Sequence, residues 1–123
     1  MKGYKDKDDQ VWLFRPKDNY ERLKKSCIRM HIPVLPEKFF FEGLNKLVSI
    51  DKDWIPKELG SSMYIRPFIF SSSTMLAASP SLDYKFLIIC SPGGAYYSKS
   101  LSVYVEDKFS RAAPGGAGYA KAA

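Results

Sequence analysis

Histidine and cysteine are scarce in this 123-residue sequence, which has one histidine and two cysteines. His31 stands alone, and Cys27 and Cys90 lie far apart without a Cys-x-x-Cys pattern. A structural zinc site uses about four such ligands, so the sequence predicts no zinc centre. It predicts two free thiols instead, which favours a reducing, cytoplasmic setting.

Long apolar runs are also missing. The longest strongly apolar stretch covers residues 86–90, whereas a membrane-spanning helix needs about 20 apolar residues. Residues 1–6 are charged and contain no apolar segment of the kind found in signal peptides. With a hydrophobic content of 46%, the chain is expected to be soluble and globular, as one domain or as one small domain with the start of another.

The net charge of +6 arises from 19 basic and 13 acidic residues. The basic residues are interspersed with acids, as in residues 5–9 and 51–53, and form no continuous stripe. Such mixing is typical of a solvated surface and predicts no nucleic-acid partner, although a basic excess can attract phosphate groups. A basic interaction domain that binds nucleotides or phosphorylated partners therefore stays open as an alternative.

Two helices are predicted in the first half of the chain. Asp18 and Glu21 form a capping-box pattern, so we expect the first helix to begin at Asp18. The second is expected to begin near Pro36, because proline is favoured in a first helical turn. The apolar stripes at helical spacing are Tyr20, Leu23, Cys27 and Met30 in the first helix, and Phe40, Leu44, Leu47 and Val48 in the second.

Strand patterns cover residues 11–14, 63–70, 84–90 and 101–105. The third stretch is apolar at nearly every position and is predicted to be buried on both faces. The fourth alternates apolar and polar residues, which indicates a further strand. Because strands and helices do not alternate as regular βαβ units, the sequence predicts an α+β fold.

The strand predicted over residues 63–70 carries two polar groups on one face. Alternation places Tyr64 and Arg66 on the same side, roughly 7 Å apart along the strand. A phenol and a guanidinium in this arrangement can hold a carboxylate. An exposed arginine on a half-buried strand is the simpler interpretation of the same pattern.

The C-terminal residues 111–123 are rich in glycine and alanine and include Lys121. Glycines let a backbone approach a ligand closely and expose amide groups to phosphate. The tail is not a P-loop, because Tyr119 and Ala120 separate Gly118 from Lys121. From composition alone, such a tail is most often a frayed terminus.

Three separated stretches, in this order and spacing, resemble the branched-chain aminotransferases, which have the class IV fold of pyridoxal-phosphate enzymes. The similarity covers essentially the whole chain. The stretches are Val11-Trp12-Leu13-Phe14-Arg15-Pro16 with Asn19-Tyr20-Glu21-Arg22, Asp51-Lys52-Asp53-Trp54-Ile55-Pro56 with Gly60-Ser61-Ser62-Met63-Tyr64-Ile65-Arg66-Pro67, and Arg111-Ala112-Ala113-Pro114-Gly115-Gly116-Ala117-Gly118-Tyr119-Ala120-Lys121.

The resemblance implies roles for matching residues. Lys121 corresponds to the lysine that binds pyridoxal 5'-phosphate as a Schiff base and acts in catalysis, and Arg22 to the arginine that holds the cofactor phosphate. Tyr64 corresponds to a residue near the carboxylate and side chain of the substrate. Arg66 corresponds to the residue that meets the side-chain carboxylate of glutamate.

Three further positions correspond to substrate-binding residues of the family. Leu76 and Ala78 fall in a loop that, in the family dimer, reaches toward the pocket of the neighbouring subunit. Tyr96 falls in a connection between domains that can fold over the site. No metal ligand is implied.

The resemblance also implies an organisation. Residues 1–92 would form the small N-terminal domain of the D-amino acid aminotransferase-like fold, residues 93–100 a linker, and residues 101–123 the beginning of the cofactor domain. The implied reaction moves an amino group between leucine, isoleucine or valine and 2-oxoglutarate, in a cytoplasmic homodimer.

Several parts of the family pattern lie outside this sequence, which is therefore expected to be truncated at both ends. They include the acidic residue that pairs with the pyridine nitrogen and most of the phosphate-binding cup. We therefore expect the longer protein to be a transaminase and this chain alone to be inactive. The alternatives within the class IV enzymes are a D-amino acid aminotransferase and an aminodeoxychorismate lyase, but the tract from Asp51 to Arg66 matches the branched-chain type closely.

Overall fold

The computed structural model describes residues 1–75, 78–94, 97 and 99–122. Its strands are β1 (Lys2–Lys5), β2 (Val11–Leu13), β3 (Ser62–Ser71) and β4 (Tyr84–Gly93). Its helices are α1 (Pro16–Arg29) and α2 (Glu37–Ile50), with short 3-10 helices at Lys52–Trp54 and Ala117–Tyr119. The predicted α+β class is confirmed.

The four strands form one antiparallel sheet in the order β2-β1-β3-β4. The long β3 and β4 pair along their whole lengths, from Ser62 opposite Gly93 to Ser71 opposite Tyr84. Met1 continues the pairing of β1, since its amino group donates to the Ile65 carbonyl at 2.8 Å and its own carbonyl accepts from the Ile65 N–H at 3.0 Å.

Strand β1 was not predicted from the sequence. Its residues are mostly polar and include Gly3, a residue type depleted in strands. A Cβ atom at Gly3 would lie 3.3 Å from the side chain of Leu13 and 3.5 Å from that of Ile65. The glycine therefore lets β1 fit between β2 and β3, a reason that depends on residues distant in sequence.

The core lies between the two helices and one face of the sheet. Its buried members are Tyr20, Phe40, Leu44, Ile55, Met63 and Ile65. The rings of Tyr20 and Phe40 pack with centroids 5.2 Å apart, and the Tyr20 hydroxyl donates to the Leu35 carbonyl at 3.0 Å. The predicted stripe of α2 and the predicted inward face of β3 both contribute to this core.

Two details of α1 differ from the prediction. The helix begins at Pro16, and Asp18 does not cap it, because its carboxylate pairs with the Arg15 guanidinium. Pro16 sets the start, since proline fits the first helical position and supplies a helical backbone angle. Met30, predicted on the buried stripe, is the exposed residue that follows the helix.

The predicted burial of β4 on both faces is wrong. Phe86, Ile88 and Cys90 are half-buried on the side of the core, while Leu87 and Ile89 point to the open face and are exposed. The strand is an edge strand, paired with β3 and covered by helix on one side only. The sequence shows that the strand is apolar, but it does not show which of its two faces is covered by other parts of the protein.

The strand predicted over residues 101–105 is also absent from the described part of the chain. Leu101, Val103 and Val105 are exposed and adopt no regular structure. A strand needs a neighbour to satisfy its amide and carbonyl groups, and the described residues provide none there. In the same described ranges, no helix combines the length and apolar character needed to cross a membrane.

Candidate functional site

Helix α1 carries the predicted phosphate-binding residue Arg22 on its exposed side. The Arg22 guanidinium donates to the side-chain carbonyl of Asn19 at 2.7 Å, one turn earlier in the helix. One turn later, the hydroxyl of the buried Ser26 donates to the Arg22 carbonyl at 3.0 Å. The Asn19 contact thus orients the Arg22 guanidinium, which keeps further N–H donors available to an anion.

The glycine-rich tail is docked on α1 and is not frayed over residues 112–122. The Arg29 guanidinium donates to the carbonyls of Gly115 and Gly116, the latter at 2.9 Å. The backbone N–H of Lys121 donates to the Ser26 hydroxyl oxygen at 3.0 Å. Ala120 is buried beside this contact, whereas Lys121 itself is exposed.

Strand β3 presents Tyr64 and Arg66 on the exposed face of the sheet, as the alternation predicted. The Arg66 guanidinium carbon lies 5.4 Å from the centroid of the Tyr64 ring, and one of its nitrogens donates a long hydrogen bond of 3.5 Å to the phenolic oxygen. The pair combines a cation–π contact with a polar one.

The electrostatics of two groups show that the predicted charges lie in one region. The hydrogen bond from Arg66 lowers the pKa of the Tyr64 phenol, and the positive charges of Arg66, Lys121 and Arg22 lower it further. Burial lowers the pKa of the Met1 amino group, and Arg22, Lys121 and Arg66 again add to the effect. Because the same three cations act on both groups, Arg22 on α1, Arg66 on β3 and Lys121 in the tail each lie within electrostatic range of Tyr64 and of the Met1 amino group.

This cation cluster, defined as Arg22, Arg66 and Lys121, suits anionic ligands. The hydrogen bond from Arg66 and the nearby positive charges favour the phenolate form of Tyr64. The same donors and charges would stabilise a phosphate or a carboxylate. Arginine guanidinium groups bind such anions through several directed donors, while a lysine amine can also act as a nucleophile. The described residues therefore place two exposed guanidinium groups and one exposed lysine amine within electrostatic range of Tyr64.

Among the other predicted site residues, Ala78 is described and lies away from the cluster. Ala78 is exposed in the loop between β3 and β4. That loop follows Ser71, roughly 24 Å along the strand from Tyr64. Leu76 and Tyr96 lie outside the described residues. The structure thus pairs Tyr64 with Arg66 and places Arg22 and Lys121 within electrostatic range of Tyr64, and the roles of all seven residues stay predictions.

Arg29 was missed by the sequence analysis, and the importance of Ser26 was not recognised. Arginine in the last turn of a helix is usually explained by the helix dipole, which gave no reason to single out Arg29. Its partners are 86 and 87 positions away in sequence. Only the packing of the tail reveals this contact.

Comparison with known proteins gives relatives along the whole chain. It is 46% identical over 127 residues to branched-chain-amino-acid transaminase 1 of Bacillus subtilis (strain 168), covering 100% of this chain and 36% of the relative. It is 49% identical over 126 residues to branched-chain-amino-acid aminotransferase 2 of the same organism, covering 100% of this chain and 35% of the relative. The branched-chain-amino-acid aminotransferase of Mycolicibacterium smegmatis (strain ATCC 700084 / mc(2)155) is 41% identical over 125 residues, covering 98% of this chain and 34% of the relative.

These relatives confirm the resemblance predicted from the three sequence stretches. The chain spans about a third of the length of the curated relatives that it matches. No family model matches the chain.

Proposed function

Because the chain is homologous along its whole length to branched-chain-amino-acid aminotransferases, we propose that it supplies the lysine-bearing part of such an enzyme. The reaction is the reversible transfer of an amino group between leucine, isoleucine or valine and 2-oxoglutarate. The branched-chain amino acid becomes a 2-oxo acid, and 2-oxoglutarate becomes glutamate. The observation that carries the proposal is that the Ser26 hydroxyl bonds to the backbones of both Arg22 and Lys121, while Arg66 and these two cations all act on Tyr64.

The cofactor of this reaction is pyridoxal 5'-phosphate, and the described residues fit it. Its phosphate is an anion. The hydrogen bond from Arg66 and the positive charges of Arg66, Lys121 and Arg22 lower the pKa of Tyr64, so the same charges would stabilise a phosphate. When bound, the cofactor supplies an aldehyde for the amine of a lysine or an amino acid and a ring that accepts an electron pair. The remaining chemistry belongs to the side chains of the protein.

Each residue of the cluster then has a distinct task. Lys121 would hold the cofactor covalently, and its amine would move the proton at the α-carbon of the substrate. Arg22 holds the phosphate through its planar donor fork, already oriented by Asn19. Arg66 accommodates the side-chain carboxylate of glutamate, and Tyr64 contacts the substrate close to its α-carboxylate.

A pocket that accepts both leucine and glutamate needs apolar walls with a cation within reach. The open face of β3 has this mixture, since Phe68 and Phe70 stack with ring centroids 5.9 Å apart beyond Arg66. Leu76, Ala78 and Tyr96 are proposed to complete the substrate pocket, with the loop of Leu76 and Ala78 serving the neighbouring subunit of a homodimer. The class IV fold and the division into residues 1–92, 93–100 and 101–123 belong to the same proposal.

The first test is covalent capture of the cofactor. The chain is mixed with pyridoxal 5'-phosphate, reduced with borohydride and digested, and the modified lysines are quantified by mass spectrometry. We expect Lys121 to be modified in preference to the other lysines, and Lys121→Met to remove that product. Equal modification of lysines across the surface would contradict the proposal.

The role of Arg22 is tested by comparing two aldehydes. Arg22→Gln should lower modification of Lys121 by pyridoxal 5'-phosphate about tenfold or more, because a charge-assisted hydrogen bond is lost. Pyridoxal, which has no phosphate, should be unaffected by the substitution. Lys46→Gln, which removes an exposed cation of α2, is the matched control and should behave like the unaltered chain.

The reaction is tested by substituting this chain for the aligned third of the first Bacillus subtilis relative. The replacement protein should transfer nitrogen-15 from labelled leucine to 2-oxoglutarate and so form labelled glutamate, and its Lys121→Met form should not. A replacement protein that folds with one cooperative thermal transition and transfers no label would contradict the proposal.

A further inference from the structure

The hydroxyl of Ser26 connects the two residues that the proposed function places at the aldehyde and at the phosphate of the cofactor. It donates to the carbonyl of Arg22 at 3.0 Å and accepts from the N–H of Lys121 at 3.0 Å. A serine within a helix commonly bonds back to the carbonyl four residues earlier, which leaves its lone pairs free. Here one of those lone pairs binds a residue 95 positions away.

Burial makes this contact specific. Ser26 is only 8% exposed, and Ala120 beside it is equally buried. The hydroxyl oxygen that accepts from the Lys121 N–H belongs to this buried serine, so the bond is partly shielded from competing water. The tail therefore has one favoured position on α1, in which the amide of Lys121 faces Ser26.

Arg29 provides a second attachment at the start of the same tail segment. Its guanidinium binds the carbonyls of two successive residues, Gly115 and Gly116. Gly115 has a positive φ of 76°, a backbone conformation that L-residues other than glycine rarely adopt. The glycine turns the chain so that both carbonyls point toward α1.

Between these two attachments the tail forms a compact turn. Residues Ala117–Tyr119 make a 3-10 helix, and the N–H of Ala120 donates to the Ala117 carbonyl at 2.9 Å. A side chain at Gly118 would collide with the methyl group of Ala112. The segment from Gly115 to Lys121 is thus short, folded on itself and fixed at both ends.

We propose that Ser26 and Arg29 are positioning residues that hold the segment 115–121 on α1, so that Lys121 is presented beside Arg22. This inference rests on the proposed function for the identity of the ligand. The docking of the segment on α1 is independent of that function. Neither residue touches the reacting atoms. They act by fixing the backbone from which the reactive amine extends.

The docking is tested by hydrogen exchange of the Lys121 amide, measured by NMR on the whole chain. Ser26→Ala should lower protection of this amide about two- to tenfold, the range that corresponds to one net hydrogen bond. Ser26→Thr, which retains the hydroxyl, should restore it. Ser49→Ala, the same substitution at an exposed position of α2, should leave it unchanged.

Arg29→Gln gives a second test at an exposed position, where folding is not at risk. It should raise exchange of the amides between Gly116 and Lys121 while the amides of β3 and β4 stay protected. The Tyr64 phenol reports the same event, because release of Lys121 removes one of the cations that lower its pKa. Both Ser26→Ala and Arg29→Gln should therefore raise the pKa of Tyr64.

The outcomes separate this inference from the proposed function. If Lys121 fails to react with the cofactor in the unaltered chain, the proposed function is wrong. Hydrogen exchange of the Lys121 amide still shows whether the segment is docked on α1. If Ser26→Ala and Arg29→Gln both leave the exchange of Lys121 and the titration of Tyr64 unchanged, the positioning role is wrong. The same conclusion follows if Ser49→Ala has as large an effect as Ser26→Ala.

Discussion

The guanidinium carbon of Arg66 lies 5.4 Å from the centroid of the Tyr64 ring, two residues earlier on the same strand. The 3.5 Å contact between an Arg66 nitrogen and the phenolic oxygen means that the cation meets both the ring and its polar end. A positive charge in this position stabilises phenolate relative to phenol. The pair therefore couples the titration of Tyr64 to the presence of Arg66.

Arg66→Gln should raise the pKa of Tyr64. The largest cause that lowers this pKa is the hydrogen bond from Arg66, and Lys121 and Arg22 contribute less. Carbon-13 NMR of labelled tyrosine rings measures the titration, with Tyr64→Phe identifying the signal. Lys85→Gln, near the other end of the β3–β4 pair, serves as the control and should not shift the signal. An unchanged titration in Arg66→Gln would show that the contact does not form in solution.

Leu44→Ala should destabilise the fold by about 2–5 kcal/mol, the usual cost of removing a fully buried leucine side chain. Leu44 is 0% exposed in the core, whereas Leu59 is 106% exposed. Leu59→Ala is thus the same chemical change without the loss of packing, and it should alter the free energy of unfolding by less than about 0.5 kcal/mol. Urea unfolding followed by circular dichroism measures both. Equal effects of the two substitutions would be inconsistent with the described core.

Both thiols should react slowly with iodoacetamide at neutral pH. Burial raises the pKa of Cys27, and burial together with the Asp51 carboxylate raises that of Cys90. A raised pKa leaves less of the reactive thiolate at neutral pH, so both rates should increase as the pH is raised. Cys27 is 3% exposed and should react more slowly than the half-buried Cys90. The two rates should converge in urea, and a faster reaction at Cys27 in the folded chain would contradict this prediction.

Much of the fold was predictable where the information is local. Helix α2 and strand β3 were predicted because their apolar residues repeat at the spacing of a helix and of a strand, and each element buries the face so marked. The burial of β4 was not predictable in this way. Its residues are apolar on both faces, and only the position of the strand at the sheet edge leaves Leu87 and Ile89 exposed.

In the candidate site, too, local contacts were predictable from the sequence and long-range contacts were not. Alternation in one strand placed Tyr64 beside Arg66, and the structure agrees. The proximity of Arg22 and Lys121 depends on how residues 112–122 pack on α1, through contacts across more than 85 positions. Composition alone favours a frayed end for such a segment. The hydrogen bonds made by Ser26 and Arg29 leave no repeating pattern in the sequence from which they could be predicted. The functions of these residues stay predictions.

The hydrogen bond that fixes Lys121 uses its main-chain N–H, and the nearby bonds from Arg29 end on main-chain carbonyls. The position of residue 121 therefore depends on main-chain groups of the tail, and not on the lysine side chain. That side chain determines only which chemical group stands at this position. A cysteine or a synthetic amino acid introduced at this position would be presented at the same point beside α1, without rebuilding the surrounding protein. The docked turn can therefore hold a reactive group other than the lysine amine at this position.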